Sequence, residues 1–345
     1  MKWWVPALAI ATLGWGSCGQ SKKTEDAGDE EAEDVLEDED AAPDAGPDGG
    51  DDVIVDAGDE EAPAGPCPGG YVPEDAMNEG FEVAGHSRSF DLILPDGDTT
   101  SYGPWPIVFL WHEHELTPAD MRDATGVALV AGEADFKFIA VLPQEAGFTM
   151  PEGLGWEMLQ VEDPDTNPDV MFFDAMLACI DETYGVDEDR IYTVGFSTGA
   201  IMSNLLAVVR NDVIAASVSY SGSYFSDPAQ EKCLAMECTA WPPVDTAFKF
   251  PTIVTEGGTT DFFDILGILT LDFHADALAT LDYLGAMGHE IIYCPHTEGH
   301  VVPSSVKAAQ FARFFLDHPK GTRPSPYVSG LPGVFPGVCT YEPPD

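Results

Sequence analysis

Basic residues are scarce in this chain. Fourteen Lys and Arg stand against 61 Asp and Glu, a formal net charge of −47. Phosphate binding wants a basic face, so nucleic acid is excluded as a partner. Polyanionic substrates are disfavoured by the same repulsion. Long apolar runs are missing too. The run that opens the chain, residues 3–13, is too short to span a bilayer and is followed by acid rather than by basic stop-transfer residues. There is no CxxC pair and no HExxH helix motif, so the common zinc signatures are absent, and no cofactor or metal is expected. There is no internal repeat. Neutral polymers and small uncharged molecules remain as substrates.

What is present begins with a leader. Lys2, a short apolar run and small residues before Cys18 read as an export signal over residues 1–17. Gly16-Ser17-Cys18 resembles a bacterial lipobox, with Trp15 where that pattern usually has Leu. The resemblance implies that Cys18 is lipidated and ties the mature protein to the outer membrane or cell surface. Plain cleavage and secretion is the other reading. Gly19 is not the aspartate associated with inner-membrane retention. Of the seven cysteines, setting Cys18 aside leaves an even six, which in an exported protein suggests up to three disulfides. Cys233 with Cys238 forms a local loop. Cys67 with Cys339 would tie the two ends of the folded body together, leaving Cys179 with Cys294.

Residues 18–66 are a different material. From Thr24 to Gly65 they are almost wholly Asp, Glu, Ala, Gly and Pro, with no aromatic or basic residue. Such a segment cannot bury enough apolar surface to offset its ordering entropy, and its charges repel one another. A disordered acidic tether is expected, ahead of one folded domain over residues 67–345.

That body alternates strands and helices, which argues for a mainly parallel sheet covered on both faces. Strands are expected over 86–94, 105–111, 138–142, 191–194, 215–220, 251–255 and 290–294. Helices are expected over 117–133, 169–184, 200–209, 272–287 and 304–316. The informative stretch is Arg190-Ile-Tyr-Thr-Val-Gly-Phe-Ser-Thr-Gly-Ala200. A β-branched and aromatic strand runs into Gly195-Phe-Ser-Thr-Gly199 and then an apolar helix. That is the setting of a nucleophile elbow: a serine pushed out of the sheet at a sharp turn, with helix N–H groups aimed where an oxyanion would form. Ser221 and Ser223 follow another strand but lack the glycines, and are expected on the pocket floor.

The order and spacing resemble the α/β-hydrolase fold. Within it they resemble the extracellular esterases that include poly(3-hydroxybutyrate) depolymerases and feruloyl esterases. The residues carrying this are Arg88-Ser-Phe-Asp-Leu-Ile-Leu-Pro95, Trp111-His112, Tyr184-Gly-Val-Asp-Glu-Asp-Arg-Ile-Tyr192, the elbow, Asp261, and Gly299-His-Val-Val-Pro303. The resemblance implies a serine esterase with Ser197 as nucleophile, Asp261 as acid and His300 as base, in the chain order Ser, Asp, His. Rivals are Asp264 and Asp272 for the acid and His296 for the base; His274, His289 and His318 read as structural. The oxyanion donors would be the backbone N–H of Thr198 and one from the loop after the 105–111 strand. That loop is His112-Glu113-His114-Glu115, where the family has His-Gly. Glu113 or His114 can still donate an N–H, but an acidic side chain there opposes negative charge, and it either points away or pairs with His114. Trp156 reads as an aromatic wall of the substrate cleft or as a packed core residue. The implied partner is an ester substrate, polymer-linked, aryl or short-chain, met outside the cell by a monomeric protein. A serine peptidase on the same fold and a surface binding protein without chemistry are the competing readings.

Overall fold

The computed structural model describes residues 66–95, 103–146, 155–159, 161, 163–234, 237–239, 241–245, 247–265 and 269–344. The chain divides into two units, Met1–Asp59 and Glu60–Asp345, and the described residues all lie in the second. The export leader, the Cys18 lipid site and the tether up to residue 65 lie outside them.

The strands are β1 (Met77–Val83), β2 (His86–Ile93), β3 (Trp105–Trp111), β4 (Ile139–Pro143), β5 (Val186–Phe196), β6 (Ala216–Tyr220), β7 (Cys233–Leu234), β8 (Glu237–Cys238), β9 (Thr252–Glu256), β10 (Phe262–Ile265), β11 (Leu269–Asp272), β12 (Ile291–Pro295) and β13 (Thr340–Glu342). The helices are α1 (Pro118–Thr125), α2 (Pro168–Tyr184), α3 (Thr198–Val209), α4 (Phe273–Ala286) and α5 (Ala308–Asp317). Nine strands form one sheet in the order β1-β2-β4-β3-β5-β6-β9-β12-β13. The run from β4 to β12 is parallel, with antiparallel pairing at β1/β2, β2/β4 and β12/β13.

Side-chain alternation along the strands builds two cores, one on each face. Ile107, Phe109 and Trp111 of β3 point into the core shared with α2, α3 and α4. Val108 and Leu110 point into the one shared with Met121 of α1 and with α5. This is the α/β-hydrolase arrangement.

Several boundaries differ from expectation, for local reasons. The helix expected over 117–133 stops at Thr125, because Gly126 takes a left-handed conformation at φ 71° and closes α1. Its start is fixed by a capping box in which Thr117 and Asp120 satisfy each other's backbone N–H, with Pro118 at the first turn. Strand β1 went unrecognised because it is largely exposed and bulged between Asn78 and Phe81, where Gly80 has φ 74°. Strands β10 and β11 pair as a hairpin just after Asp261, with Phe262 53% exposed while Phe263 packs against the core and Leu271 is buried in it.

The disulfides correct two pairings. Cys233–Cys238 forms as expected, but the others are Cys67–Cys179 and Cys294–Cys339. The sheet explains this. Cys67 and Cys179 lie in the core on one face, and Cys294 and Cys339 in the core on the other, so a Cys67–Cys339 bond would have to cross the sheet. Three bonded pairs fit an oxidising, extracytoplasmic compartment.

Candidate active site

The parallel register sets the ends of five strands level. Trp111 pairs with Gly195, Phe196 with Tyr220, Tyr220 with Thr255, and Glu256 with Pro295. The segments that follow these carboxyl ends carry His112 and Glu113, Ser197, Ser221, Asp261 and His300. Open parallel sheets place ligand sites at this rim.

Ser197 stands between β5 and α3 at φ 56°, ψ −120°, a backbone conformation that only a tight surrounding structure sustains. The two flanking glycines make it affordable. A Cβ on Gly195 would lie 2.0 Å from the Gly199 carbonyl oxygen, and one on Gly199 would lie 2.1 Å from the Trp111 carbonyl oxygen. The same closeness brings the His112–Glu115 loop alongside the start of α3. Ser197 donates its N–H to Tyr220 O at 2.9 Å, which fixes the elbow to β6. Thr198 is the first residue of α3, where backbone N–H groups have no partner within the helix.

Ser197 Oγ lies 2.8 Å from His300 Nε2, and His300 Nδ1 lies 2.6 Å from Asp261 Oδ1. Asp261 is wholly buried. Its second oxygen accepts from Ser221 Oγ at 2.7 Å and from the Gly257 N–H at 2.7 Å. The acid and base loops touch through glycine: a Cβ on Gly257 would lie 2.0 Å from Gly299 O, and the Gly299 N–H donates to Gly257 O. The His300 ring stacks on Phe273 at 4.9 Å between centroids and leans on Phe196 at 5.0 Å.

The rivals are occupied elsewhere. Asp272 caps α4 by accepting from the Ala275 N–H, and Asp264 is exposed and accepts from Thr270 Oγ1. Glu256 is buried under donors from Gly258 N, Tyr293 Oη and His274 Nδ1. His296 accepts through Nδ1 from the Glu298 N–H. His318 bonds Phe314 O and Ser325, and His289 bonds Phe250 O.

Two expected substrate contacts are corrected. Ser221 does not line an open floor. It is fully buried, and its hydroxyl is committed to Asp261. Trp156 forms no exposed wall. It is 1% exposed, donates Nε1–H to His112 O at 2.9 Å and meets Trp111 edge-on, so it props the loop from beneath.

Glu113 is the surprise. Its carboxylate neither points away nor pairs with His114; it lies 3.5 Å from His300 Nε2, while His114 faces Glu115 at 3.7 Å. Nor does Glu113 need positive φ: that strain falls on Glu115, at φ 63°. Burial works against a charged His300, but the hydrogen bonds and charges of Asp261 and Glu113 outweigh it, and the imidazole is pushed up to about 9. His112 is the reverse case. Burial pushes it down to about 4, so it stays neutral, with Nδ1 donating to Glu113 O and Nε2 accepting from the Glu145 N–H. With both nitrogens engaged, His112 has no free lone pair for a metal. Among the described residues one cluster of potential metal ligands occurs, Glu231 with Cys233 and Cys238, and its two sulfurs are bonded to each other. The roles of Ser221 and of the Glu113 side chain were not read from the sequence. The chance signal was Ser221-Gly222 at a strand end, a sharp turn without the first elbow glycine.

No protein-family model matches the chain. It is 24% identical over 314 residues to an oxidized polyvinyl alcohol hydrolase of Sphingopyxis, covering 77% of this chain and 85% of that one. It is 27% identical over 172 residues to feruloyl esterase D of Neurospora crassa, covering 48% and 56%. Among solved structures, a variant of a protein called pOPH in complex with DMSO superposes with a TM-score of 0.64 at 19% identity, covering 80% of this chain and 96% of that one.

Proposed function

We propose that this chain, which has the α/β-hydrolase fold and esterase relatives, is a carboxylic ester hydrolase that works through an acyl-enzyme formed on Ser197. The observation that supports this is the continuous relay from Ser197 Oγ through the His300 ring to Asp261, at 2.8 and 2.6 Å.

Ser197 Oγ attacks the ester carbonyl carbon and its proton passes to His300 Nε2. Asp261 holds Nδ1–H and stabilises the imidazolium. The oxyanion takes the Thr198 N–H and a second N–H from Glu113 or His114. The tetrahedral adduct collapses, the C–O bond to the alcohol breaks, and Nε2 returns its proton to the leaving oxygen. Water then attacks the acyl carbon, gives a proton to Nε2, and Ser197 is regenerated as the acid departs. No cofactor enters.

The formal charge of −47 favours uncharged substrates. The likeness to a feruloyl esterase and a polymer hydrolase supports aryl or polymer-linked esters, met by an exported monomer whose catalytic domain spans residues 67–345. The export signal at residues 1–17 and a lipid on Cys18 would place it on the cell surface at the end of the 18–66 tether.

The test is an uncharged fluorophosphonate probe with a panel of p-nitrophenyl esters, feruloyl esters and peptide anilides. Labelling at Ser197, ester turnover, and its loss by several orders of magnitude in Ser197→Ala are expected. Preferential cleavage of the anilides would make it a peptidase. Folded protein that takes up no probe would be a binding protein.

A further inference from the structure

Two carboxylates bracket one imidazole. Asp261 sits on Nδ1 at 2.6 Å, as orienting acids do. Glu113 sits on the other side, 3.5 Å from Nε2, where Ser197 Oγ is also held at 2.8 Å. The side chains of His300 and Glu113 are 20% and 24% exposed, so solvent screens the pair only in part. Among the described residues, the two rings that pack on the imidazole, Phe196 and Phe273, bring no charge. Charged groups on the adjoining loops face other partners. His114 turns to Glu115, Glu298 to Ser304, and Glu256 to His274, Tyr293 and Gly258. His296 accepts from the Glu298 N–H, and its own titration is pushed down by burial despite the Asp261, Glu298 and Glu256 carboxylates.

Resting on the triad reading above, we propose that Glu113 is a positioning residue that holds the Nε2 proton of a resting imidazolium at His300, so that the site is switched on by alkaline conditions.

A carboxylate beside Nε2 has no favourable interaction with a neutral imidazole presenting its lone pair. It has a strong one with N–H⁺, and that bond competes with Ser197 for the same nitrogen. Activation is then a simple proton balance. Hydroxide removes the Nε2 proton as water, the lone pair turns to Ser197 Oγ–H, and Glu113, now repelled, leaves the space beside Nε2. That space is where the leaving alcohol and later the hydrolytic water must collect or deliver a proton. The same two carboxylates, Asp261 and Glu113, push the imidazole up to about 9 against its burial.

The experiment is the pH profile of kcat/KM for a neutral p-nitrophenyl ester, with fluorophosphonate labelling rates alongside, on the mature full-length chain and on Glu113→Gln. For the unaltered protein the acid limb is expected near 9. In Glu113→Gln it should move down by about one unit or more, raising kcat/KM at neutral pH by roughly tenfold. A wild-type limb at the ordinary histidine value, or a limb that Glu113→Gln leaves in place, overturns the proposal. The wild-type limb needs no variant, so a misfolded substitution does not remove the test. Labelling at Ser197 with a limb at the ordinary value sinks this inference alone; absence of labelling at every pH sinks the triad reading with it.

Discussion

Ser221 donates its hydroxyl to Asp261 at 2.7 Å from a backbone held at φ 53°, a left-handed conformation unusual for a serine. Strain at one strand end thus delivers a hydrogen bond to the buried acid at the next. A bond to a charged group contributes about 1.5–3 kcal/mol. Ser221→Ala is expected to lower kcat by roughly ten- to a hundredfold while KM holds, since the defect acts on the orientation of His300. Ser221→Gly loses the same bond but suits positive φ, so it should match the alanine variant in kcat and exceed it in stability by about 1 kcal/mol. Kinetics paired with thermal melts separate the two effects.

Gly199 offers a steric test of the elbow. A methyl group there would meet backbone oxygens of Trp111 and His112 at 2.1 and 2.4 Å; Trp111 is held in β3 by its pairing with β5, and the His112 carbonyl is held by Trp156 Nε1–H. Gly199→Ala is expected to abolish probe labelling at Ser197 and to depress the melting temperature. A variant that folds and labels at the normal rate would contradict the tight elbow described above.

Arg88 and Asp169 form a buried ion pair at 2.7 Å, each side chain 1% exposed. Asp169 also accepts from the Glu157 N–H, so the pair holds the Trp156 segment to the start of α2. Arg88→Met strands a buried carboxylate and should cost about 3–5 kcal/mol in urea unfolding. The double replacement Arg88→Met with Asp169→Leu should recover much of that loss.

Stability should be greatest between the titrations of two kinds of histidine. His112 and His289 are both pushed down to about 4 by burial, below the ordinary value of 6.5. Between 6.5 and 4 the unfolded chain binds their protons first, so stability falls with pH by up to about 3 kcal/mol for each. His300, raised to about 9, behaves oppositely: its contribution is complete below 6.5 and is lost as pH rises through 9. Melting temperature against pH should therefore peak near the ordinary histidine value. His289→Asn should flatten the acid side without touching the alkaline one.

The reading from sequence was most secure where chemistry and local pattern coincide. Strand β5 and the glycines on either side of Ser197 mark the turn locally, and Asp261 and His300 follow strands marked by β-branched residues, over 252–255 and 291–292. Ser221 escaped because its partner lies 40 residues away on a different strand, and nothing local marks that contact. Glu113 escaped for a related reason: a side chain's direction depends on how a loop packs, and here Trp156, 44 residues on, holds the backbone at His112. The cysteines were misjudged because pairing depends on which face of the sheet each one lands on, a property of the assembled layers rather than of spacing.

Strand β13 is only three residues long, yet it is the last member of the sheet and covers the outer side of β12, secured by Cys294–Cys339. Without it β12 would present a row of unpaired amides and carbonyls to solvent, a template for joining another chain. The C-terminal tail and its sulfur link therefore act as a guard against self-association. A truncation before Cys339, or reduction of that bond, should show itself as aggregates on storage before it shows as lost catalysis.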